Sequence, residues 1–186
     1  KILILCTGNS CRSQMAHGFL QSFDANLQVF SAGTHPAEQV NPHAVEVMAE
    51  TGIDISHHRP TDVATCLNET WDYVITVCDH ARESCPAFSG EVRHRLHIGI
   101  EDPSEVTGSP ETIRQAFIQA RDLIKERFSR FYLTEILGKE LPDVPVNDKF
   151  LNVTFVNYKQ KNLACYDTTI CRLAGIRPVS YTHLTL

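Results

Sequence analysis

The chain has 186 residues, of which 42% are hydrophobic and 21% are charged, and its net charge is -5. This composition fits one globular domain, or one domain with an extension. No apolar run reaches the roughly 20 residues of a membrane span, and "KILIL" is too short for a signal-peptide core. An acidic chain also argues against nucleic acid as the main partner, because phosphate backbones require a basic surface. We therefore expect a cytoplasmic protein, monomeric, with neither nucleic acid nor a membrane as partner.

The first 137 residues alternate between strand and helix patterns. Residues 2–5 predict a strand that ends at a glycine-containing loop, and apolar positions at helical spacing follow from Met15 to Phe23. Residues 27–32 predict a second strand, and Asn41 with Pro42 begins a helix that Gly52 ends. A weak helix near residue 61, strands at 73–77 and 96–100, and a long amphipathic helix from 110 to about 137 follow. This order predicts a three-layer α/β fold, with a four-stranded parallel sheet between helices on both faces.

The character of the chain changes after residue 141. The stretch "PDVPVNDKF" has the composition of a linker. Residues 142–186 carry 5 Lys and Arg against 3 Asp and Glu, whereas residues 1–141 carry 12 against 19. We predict a catalytic domain over residues 1–141 and a C-terminal extension of unknown role over 142–186. The final "RPVSYTHLTL" resembles vector read-through, so part of the extension is expected to be non-native.

The cysteines do not form a regular framework. Seven are present: Cys6, Cys11, Cys66, Cys78, Cys85, Cys165 and Cys171. An odd number in a chain able to fold without disulfides favours reactive thiols over structural bridges. No C-x2-C pair occurs, so we expect no structural zinc.

The loop "CTGNSCRS" carries the first candidate chemistry. Cys6 and Arg12 stand as C-x5-R, with Cys6 at the carboxyl end of a predicted parallel strand and the loop leading into a helix. Helix N-terminal amides favour an anion there, Gly8 and Asn9 tolerate the positive φ of a tight anion loop, and Arg12 can bridge two oxyanion oxygens. We expect the same field, with a hydrogen bond from Ser13, to lower the pKa of Cys6 and make it a nucleophile. The predicted oxyanion-binding residues are Thr7, Gly8, Asn9, Ser10, Cys11, Arg12 and Ser13.

The same loop has two alternatives to oxyanion binding. Cys6 could be a small buried residue and Arg12 a surface cation, because the bare C-x5-R spacing is weak evidence. A Walker-type nucleotide loop would need a lysine and a second glycine, which this loop lacks. The strand, loop and helix setting favours oxyanion binding.

Several stretches resemble one known family. The loop resembles that of the low-molecular-weight tyrosine phosphatases, and "CTGNSCRSQMA", "SAGTHP", "NPHAVEVM" and "GIDIS" resemble more closely the arsenate reductase branch of that fold. The similarity covers residues 1 to about 135 and leaves out the tail. It implies the phosphatase-like fold and an oxyanion as substrate.

The resemblance gives two further cysteines a role. Cys78 follows a predicted strand, and Cys85 comes seven residues later. In a thioredoxin-coupled arsenate reductase, a second thiol attacks the Cys6 adduct to expel arsenite, and a third passes the disulfide outward. The implied relay runs from Cys6 to Cys78 to Cys85, with thioredoxin as the external reductant. The alternative is that both cysteines only pack.

Asp102 precedes Pro103 after the fourth predicted strand, on the same rim as Cys6. The resemblance implies a general acid for its carboxylate, and the alternative is an aspartate that caps a turn. The second hypothesis is a low-molecular-weight protein tyrosine phosphatase, which would act on phosphotyrosine or small phosphate esters through a Cys6 phosphoenzyme with Asp102 as general acid. A third hypothesis is a non-catalytic oxyanion sensor with redox-active thiols.

The resemblance also raises the question of a potassium ion. Some relatives hold potassium near the loop through an acidic residue of the first helix, where this chain has His17. Asn9 and Ser31 match two other ligand positions, and the last aligns with Thr61 or Asp62. We therefore expect no tightly bound cofactor and assign no metal-ligating residue, and potassium binding stays an open question for this sequence. Phosphate or sulfate is expected to compete with arsenate.

Overall fold

Four parallel strands form one sheet in the computed structural model, which describes residues 1–83 and 85–140. The strands lie in the order β2-β1-β3-β4, so β1 and β3 are the inner pair. Their bounds are β1 (Ile2–Cys6), β2 (Val29–Gly33), β3 (Trp71–Thr76) and β4 (Val92–His97). Cys6 pairs with Gly33 at the carboxyl end of β1, where ligands bind in open parallel sheets.

The helices begin at residues with capping chemistry. The Asn41 side chain accepts a hydrogen bond from the His43 N–H, and Ser109 does the same for Thr112, each before a proline in the first turn. The helices are α1 (Arg12–Phe23), α2 (Pro42–Ala49), α3 (Asp79–Glu83) and α4 (Pro110–Phe131). Short 3-10 helices lie at Val63–Cys66 and Pro103–Glu105, and a π-helical turn at Tyr132–Ile136 continues α4.

Alternate residues of β1 point to two separate cores. Ile2, Ile4 and Cys6 pack into the larger core, to which α1, α2 and α4 contribute apolar side chains. Leu3 and Leu5 pack into the smaller core on the other face, with the 3-10 helix Val63–Cys66 beside it. Cys6 therefore emerges on the face that α1 and α4 cover.

The predicted four-stranded parallel sheet with helices is confirmed. The predicted fourth strand at 96–100 is displaced, because the observed β4 begins at Val92, which pairs with Trp71. The weak helix near residue 61 is the 3-10 helix that Asp62 caps. The predicted extension over 142–186, with Cys165 and Cys171, lies outside the described residues. Within the described ranges, no helix has both the length and the apolar composition needed to cross a bilayer.

Candidate active site

The loop between β1 and α1 is held by hydrogen bonds to its carbonyl groups. N–H groups of residues 34–41 donate to four loop carbonyl oxygens at 2.8 to 3.2 Å. The Asn9 carbonyl accepts from the Gln14 side chain, and the Cys11 carbonyl accepts from the Gln14 N–H. The four carbonyl acceptors facing residues 34–41 are those of Cys6, Thr7, Gly8 and Ser10. Six consecutive carbonyl groups are thus bonded away from the loop's interior.

Most backbone N–H groups of the loop, unlike its carbonyl groups, have no hydrogen-bond partner among the described residues. The Asn9 N–H donates to Cys6 Sγ at 3.0 Å. Five more backbone N–H groups have no acceptor among residues 1–83 and 85–140, namely those of Gly8, Ser10, Cys11, Arg12 and Ser13. Buried amides normally find partners, and a ring of N–H groups at a helix N-terminus binds an anion. The loop around Cys6 Sγ is therefore suited to an oxyanion.

Asn9 holds the loop in a conformation that non-glycine residues rarely adopt. Its φ is 46°, in the left-handed region. Its side chain accepts from the Thr61 N–H at 2.8 Å and donates to Ser13 Oγ at 2.9 Å. The buried Gln14 donates to both oxygens of Asn9 at 2.9 and 3.2 Å. These contacts place the Asn9 amide beside Cys6 Sγ.

Gly33 lets β2 approach this loop closely. A Cβ atom at Gly33 would lie 2.4 Å from the Thr7 carbonyl oxygen and 3.0 Å from both Asn9 Cβ and Asn9 N. Real Cβ atoms essentially never approach backbone so closely. Only glycine fits between β2 and the loop.

The Cys6 thiol is buried, and its pKa differs from the sequence-based expectation. Cys6 Sγ contacts Ser13 Oγ at 2.9 Å and accepts from the Asn9 N–H. Burial raises the pKa of Cys6 above its ordinary value, against the Ser13 and Asn9 hydrogen bonds and the Arg12 charge, which lower it. The prediction of a lowered pKa in the free protein was wrong, because loss of water around the sulfur outweighs the loop's hydrogen bonds.

Arg12 and Asp102 form an ion pair at the mouth of the loop. Arg12 Nη2 donates to Asp102 Oδ2, and Arg12 Nη1 donates to the Ile100 carbonyl oxygen at 2.9 Å. Asp102 Oδ1 accepts from the Ser104 N–H and hydroxyl, so this carboxylate both caps the turn Pro103–Glu105 and orients Arg12. Three of the five N–H donors of the guanidinium stay outside these two bonds.

Cys78 adjoins the loop, and Cys85 does not. Cys78 is buried two residues beyond β3, and its Sγ lies 3.5 Å from Thr7 Oγ1. Its charge when ionised is close enough to raise the pKa of Cys6. Cys85 packs beside the smaller core, on the sheet face opposite Cys6, and its Sγ lies 3.9 Å from an Arg95 nitrogen. The five cysteines of the described residues are all free thiols.

Cys11 and Cys66 are packing residues in the described structure. Both are buried, and burial raises the pKa of the Cys11 thiol. The Cys11 carbonyl accepts from two N–H groups of the first helical turn, so its backbone shapes the loop.

The residues at the expected potassium position do not fit that ion. Asn9 Oδ1 already accepts two hydrogen bonds, and Ser31 Oγ lies 3.3 Å from His17 Nδ1. Burial beside His58 and His57 lowers the pKa of His17 to about 4, so a neutral imidazole occupies the place of a carboxylate. Potassium prefers oxygen ligands, and this chain supplies a nitrogen ring at the key position.

Sequence reasoning missed several residues that build the site. Gln14, Gly33, the Thr61 amide and the Ile100 carbonyl act through contacts between distant segments. Two of these had a sequence signal: Gly33 is a glycine at the end of a strand, and Gln14 is a polar residue on the apolar face of α1. The Thr61 amide and the Ile100 carbonyl had none.

The comparisons with known proteins agree with this geometry. The low molecular weight phosphotyrosine protein phosphatase family matches residues 1–142. The chain belongs to this family. An arsenate reductase of Halalkalibacterium halodurans is 41% identical over 131 residues, covering 70% of this chain and 93% of that protein.

Two solved structures of arsenate reductases resemble the chain. One, in the phosphate binding state, has a TM-score of 0.57 and 30% identity, and the match covers 72% of this chain and 96% of that one. A thioredoxin-dependent arsenate reductase of Corynebacterium glutamicum has a TM-score of 0.54 and 26% identity, covering 74% of this chain and 62% of that one. The predicted resemblance to the arsenate reductase branch of the low molecular weight phosphatase family is confirmed.

Proposed function

We propose that this protein reduces arsenate to arsenite through a relay of Cys6, Cys78 and Cys85 that thioredoxin regenerates. The observation that carries the proposal is the second thiol beside the anion loop: Cys78 Sγ contacts Thr7, the residue after Cys6. A phosphatase needs one nucleophilic thiol, whereas reduction of an oxyanion by thiols needs two. The arsenate reductases among its relatives support the same assignment.

The first step takes place on the loop. Arsenate binds to the ring of amides, and the remaining donors of Arg12 contact its oxygens. Cys6 Sγ attacks arsenic in line with the departing oxygen, which leaves as water after taking up two protons, one of them the proton that the Cys6 thiol gives up. Asp102 borders the mouth of the loop and is the group proposed to deliver one of them.

The second step is the redox step. Cys78 attacks the sulfur of the Cys6–arsenic adduct, forming a Cys6–Cys78 disulfide while the sulfur–arsenic bond breaks. The electron pair of that bond stays on arsenic, which is reduced from arsenate to arsenite. Two thiols are oxidised, so the electrons balance.

The third step requires a rearrangement of α3. In a helix, two residues seven positions apart have Cα atoms about 10.5 Å from each other, whereas the Cα atoms of a disulfide lie about 4.4–6.8 Å apart. Cys85 also packs on the opposite sheet face from Cys6. We therefore propose that α3 (Asp79–Glu83) unwinds when Cys85 attacks Cys78. The resulting Cys78–Cys85 disulfide is the substrate of thioredoxin.

The relay needs a reducing cellular compartment. Its thiols must return to the reduced state after each turnover, which fits the reducing cytoplasm. Phosphate and sulfate share the tetrahedral shape of arsenate, so both compete for the loop. We propose no metal or tightly bound cofactor, and a monomer.

A phosphatase is the second candidate function. It shares the loop, Arg12 and Asp102, and the ion pair of these two residues favours it as much as it favours the reductase. The two functions separate at the second thiol, because a Cys6 phosphoenzyme is hydrolysed by water and not by Cys78.

The test is a thioredoxin-coupled assay of NADPH oxidation with arsenate, run on the full chain. Cys78→Ser and Cys85→Ser are expected to lose multiple turnover while retaining slow hydrolysis of a phosphate ester. Cys66→Ser is the matched control, because this thiol is buried in the smaller core away from the loop. Full arsenate turnover in either relay variant would refute the reductase proposal.

A further inference from the structure

A continuous set of side chains leads from Cys78 out of the site. Cys78 Sγ lies 3.5 Å from Thr7 Oγ1, and Thr7 Oγ1 lies 3.4 Å from His80 Nδ1. Cys78 is buried, Thr7 is half-buried and His80 is exposed. A hydroxyl group both donates and accepts, so Thr7 can pass a proton between the thiol and the imidazole.

We propose that His80 takes the proton of Cys78 through the Thr7 hydroxyl and so activates the second thiol of the relay. This inference rests on the proposed function, in which Cys78 attacks the Cys6 adduct. In the required arrangement, the Cys78 S–H donates to Thr7 Oγ1 and the Thr7 O–H donates to His80 Nδ1. The His80 tautomer then carries its hydrogen on Nε2.

The thiolate is the attacking species in disulfide chemistry, and a buried thiol loses its proton only to a group within reach. When the proton of Cys78 moves to Thr7, the Thr7 proton moves to His80, which becomes an imidazolium. Cys78 then attacks Cys6 Sγ, the sulfur–arsenic bond breaks, and its electron pair stays on arsenic. The imidazolium afterwards returns its proton to an arsenite oxygen or to water.

Within residues 1–83 and 85–140, charged and titratable groups near His80 lie on four elements. Asp79, Arg82 and Glu83 lie on α3 itself. The His35 ring of the segment after β2 lies 6.4 Å from the His80 ring. His97 Nε2 of β4 lies 3.3 Å from Asp79 Oδ1. Cys6 in the loop after β1 interacts electrostatically with Cys78. Among the described residues, the His80 imidazole is the titratable group, besides the Cys78 thiol itself, within hydrogen-bond distance of Thr7 Oγ1.

His80 acts through Thr7 and touches no substrate, so a loss of rate alone would not separate proton transfer from a structural role. The measured quantity is the rate of Cys6–Cys78 disulfide formation in one turnover with arsenate. It is followed by rapid quenching with an alkylating agent and peptide mass spectrometry. Cys85→Ser is the parent, because it stops the relay at that disulfide.

His80→Gln in this parent is expected to form the disulfide about 10²-fold more slowly, because glutamine keeps a hydrogen bond to Thr7 and accepts no proton. The His80→Gln rate is expected to rise more steeply with pH than the parent rate, since without the imidazole base hydroxide must remove the proton of Cys78. Added imidazole is expected to accelerate His80→Ala, whose exposed position leaves room for the small base.

His94→Gln is the matched control, because this exposed histidine stacks on Tyr73 away from the carboxyl end of the strands. It is expected to match the parent at every pH. Equal rates and equal pH profiles for the parent and His80→Gln would overturn the inference, as would a His80→Ala variant that imidazole does not accelerate. Failure of the parent itself to form the Cys6–Cys78 disulfide would instead refute the proposed function on which the inference rests.

Discussion

Arg12 donates one hydrogen bond to the Asp102 carboxylate and another, 2.9 Å long, to the Ile100 carbonyl oxygen. The guanidinium is thus oriented by the end of the sheet before any substrate binds. Preorganised donors of this kind contribute to catalysis because they need no reorganisation during the reaction.

Replacing Arg12 with Lys is expected to lower kcat/KM for arsenate by about 10²- to 10³-fold, because one ammonium cannot hold Asp102, Ile100 and two oxyanion oxygens together. The thioredoxin-coupled assay measures this loss. The control is Arg130→Lys, an exposed residue in the last turn of α4. Undiminished turnover in Arg12→Lys would refute the role of the guanidinium fork.

Ser13 is expected to set the reactivity of Cys6. Its hydroxyl lies 2.9 Å from Cys6 Sγ and lowers the pKa of this thiol against the larger effect of burial. Ser13→Ala should raise the pKa of Cys6 further, so that alkylation at pH 8 slows about tenfold, which corresponds to the loss of one hydrogen bond to a charged group. Peptide mass spectrometry follows Cys6 against the other cysteines. Ser22→Ala on the same helix is the control, and equal Cys6 alkylation in both variants would contradict the prediction.

The Gly33 position is expected to affect the loop more than the fold. A Cβ there would collide with the Thr7 carbonyl and Asn9, so Gly33→Ala must displace the loop backbone. We expect nearly complete loss of arsenate turnover from the folded fraction. Gly52→Ala is the comparison. Gly52 has a φ of 78°, a conformation that costs an alanine roughly 1–2 kcal/mol, and no atom lies near the added Cβ. If both variants keep the same activity per folded molecule, Gly33 has no special role at the loop.

His17 is expected to make the fold sensitive to acid. Its folded pKa of about 4 lies below the ordinary value of 6.5, so the unfolded chain binds the proton first as pH falls. The contribution of neutral His17 to the free energy of unfolding is therefore fully present above pH 6.5 and decreases as pH falls toward 4. At pH 5 the expected loss is about 2 kcal/mol from this residue. Burial also lowers the pKa of His58, which adds to the loss in the same direction.

Urea unfolding of the full chain at pH 7 and pH 5 measures this effect. His17→Gln keeps a side chain able to bond to Ser31 and removes the titration, so its loss between the two pH values should shrink by about 2 kcal/mol. His43→Gln, on the exposed side of α2, is the control. An unchanged loss in His17→Gln would show that other groups cause the acid sensitivity.

The parts of the fold that depend on local pattern were predictable. The strand, loop and helix around Cys6 follow from an apolar run and a helical repeat close in sequence. The start of α2 follows from the Asn41 cap and the proline after it. The edge strand β4 was displaced in the prediction, because its residues are largely exposed and carry little apolar alternation.

The site was less predictable where it depends on contacts between distant segments. Gln14 has the sequence signal of any polar helix residue, yet it holds both oxygens of Asn9. The pKa of Cys6 was predicted in the wrong direction, because sequence does not reveal that the sulfur is buried. Cys85 was expected near Cys78, but apolar packing draws it to the opposite sheet face.

Cys6 and Cys78 are together proposed to reduce arsenate. The most direct measurement is one turnover of arsenate by Cys85→Ser, quenched with an alkylating agent and analysed by peptide mass spectrometry. One equivalent of arsenite and an equal amount of Cys6–Cys78 disulfide are expected from Cys85→Ser, and neither is expected from Cys78→Ser. Arsenite formed without that disulfide, or no arsenite from a folded Cys85→Ser protein whose Cys6 reacts with alkylating agent, would contradict this proposal.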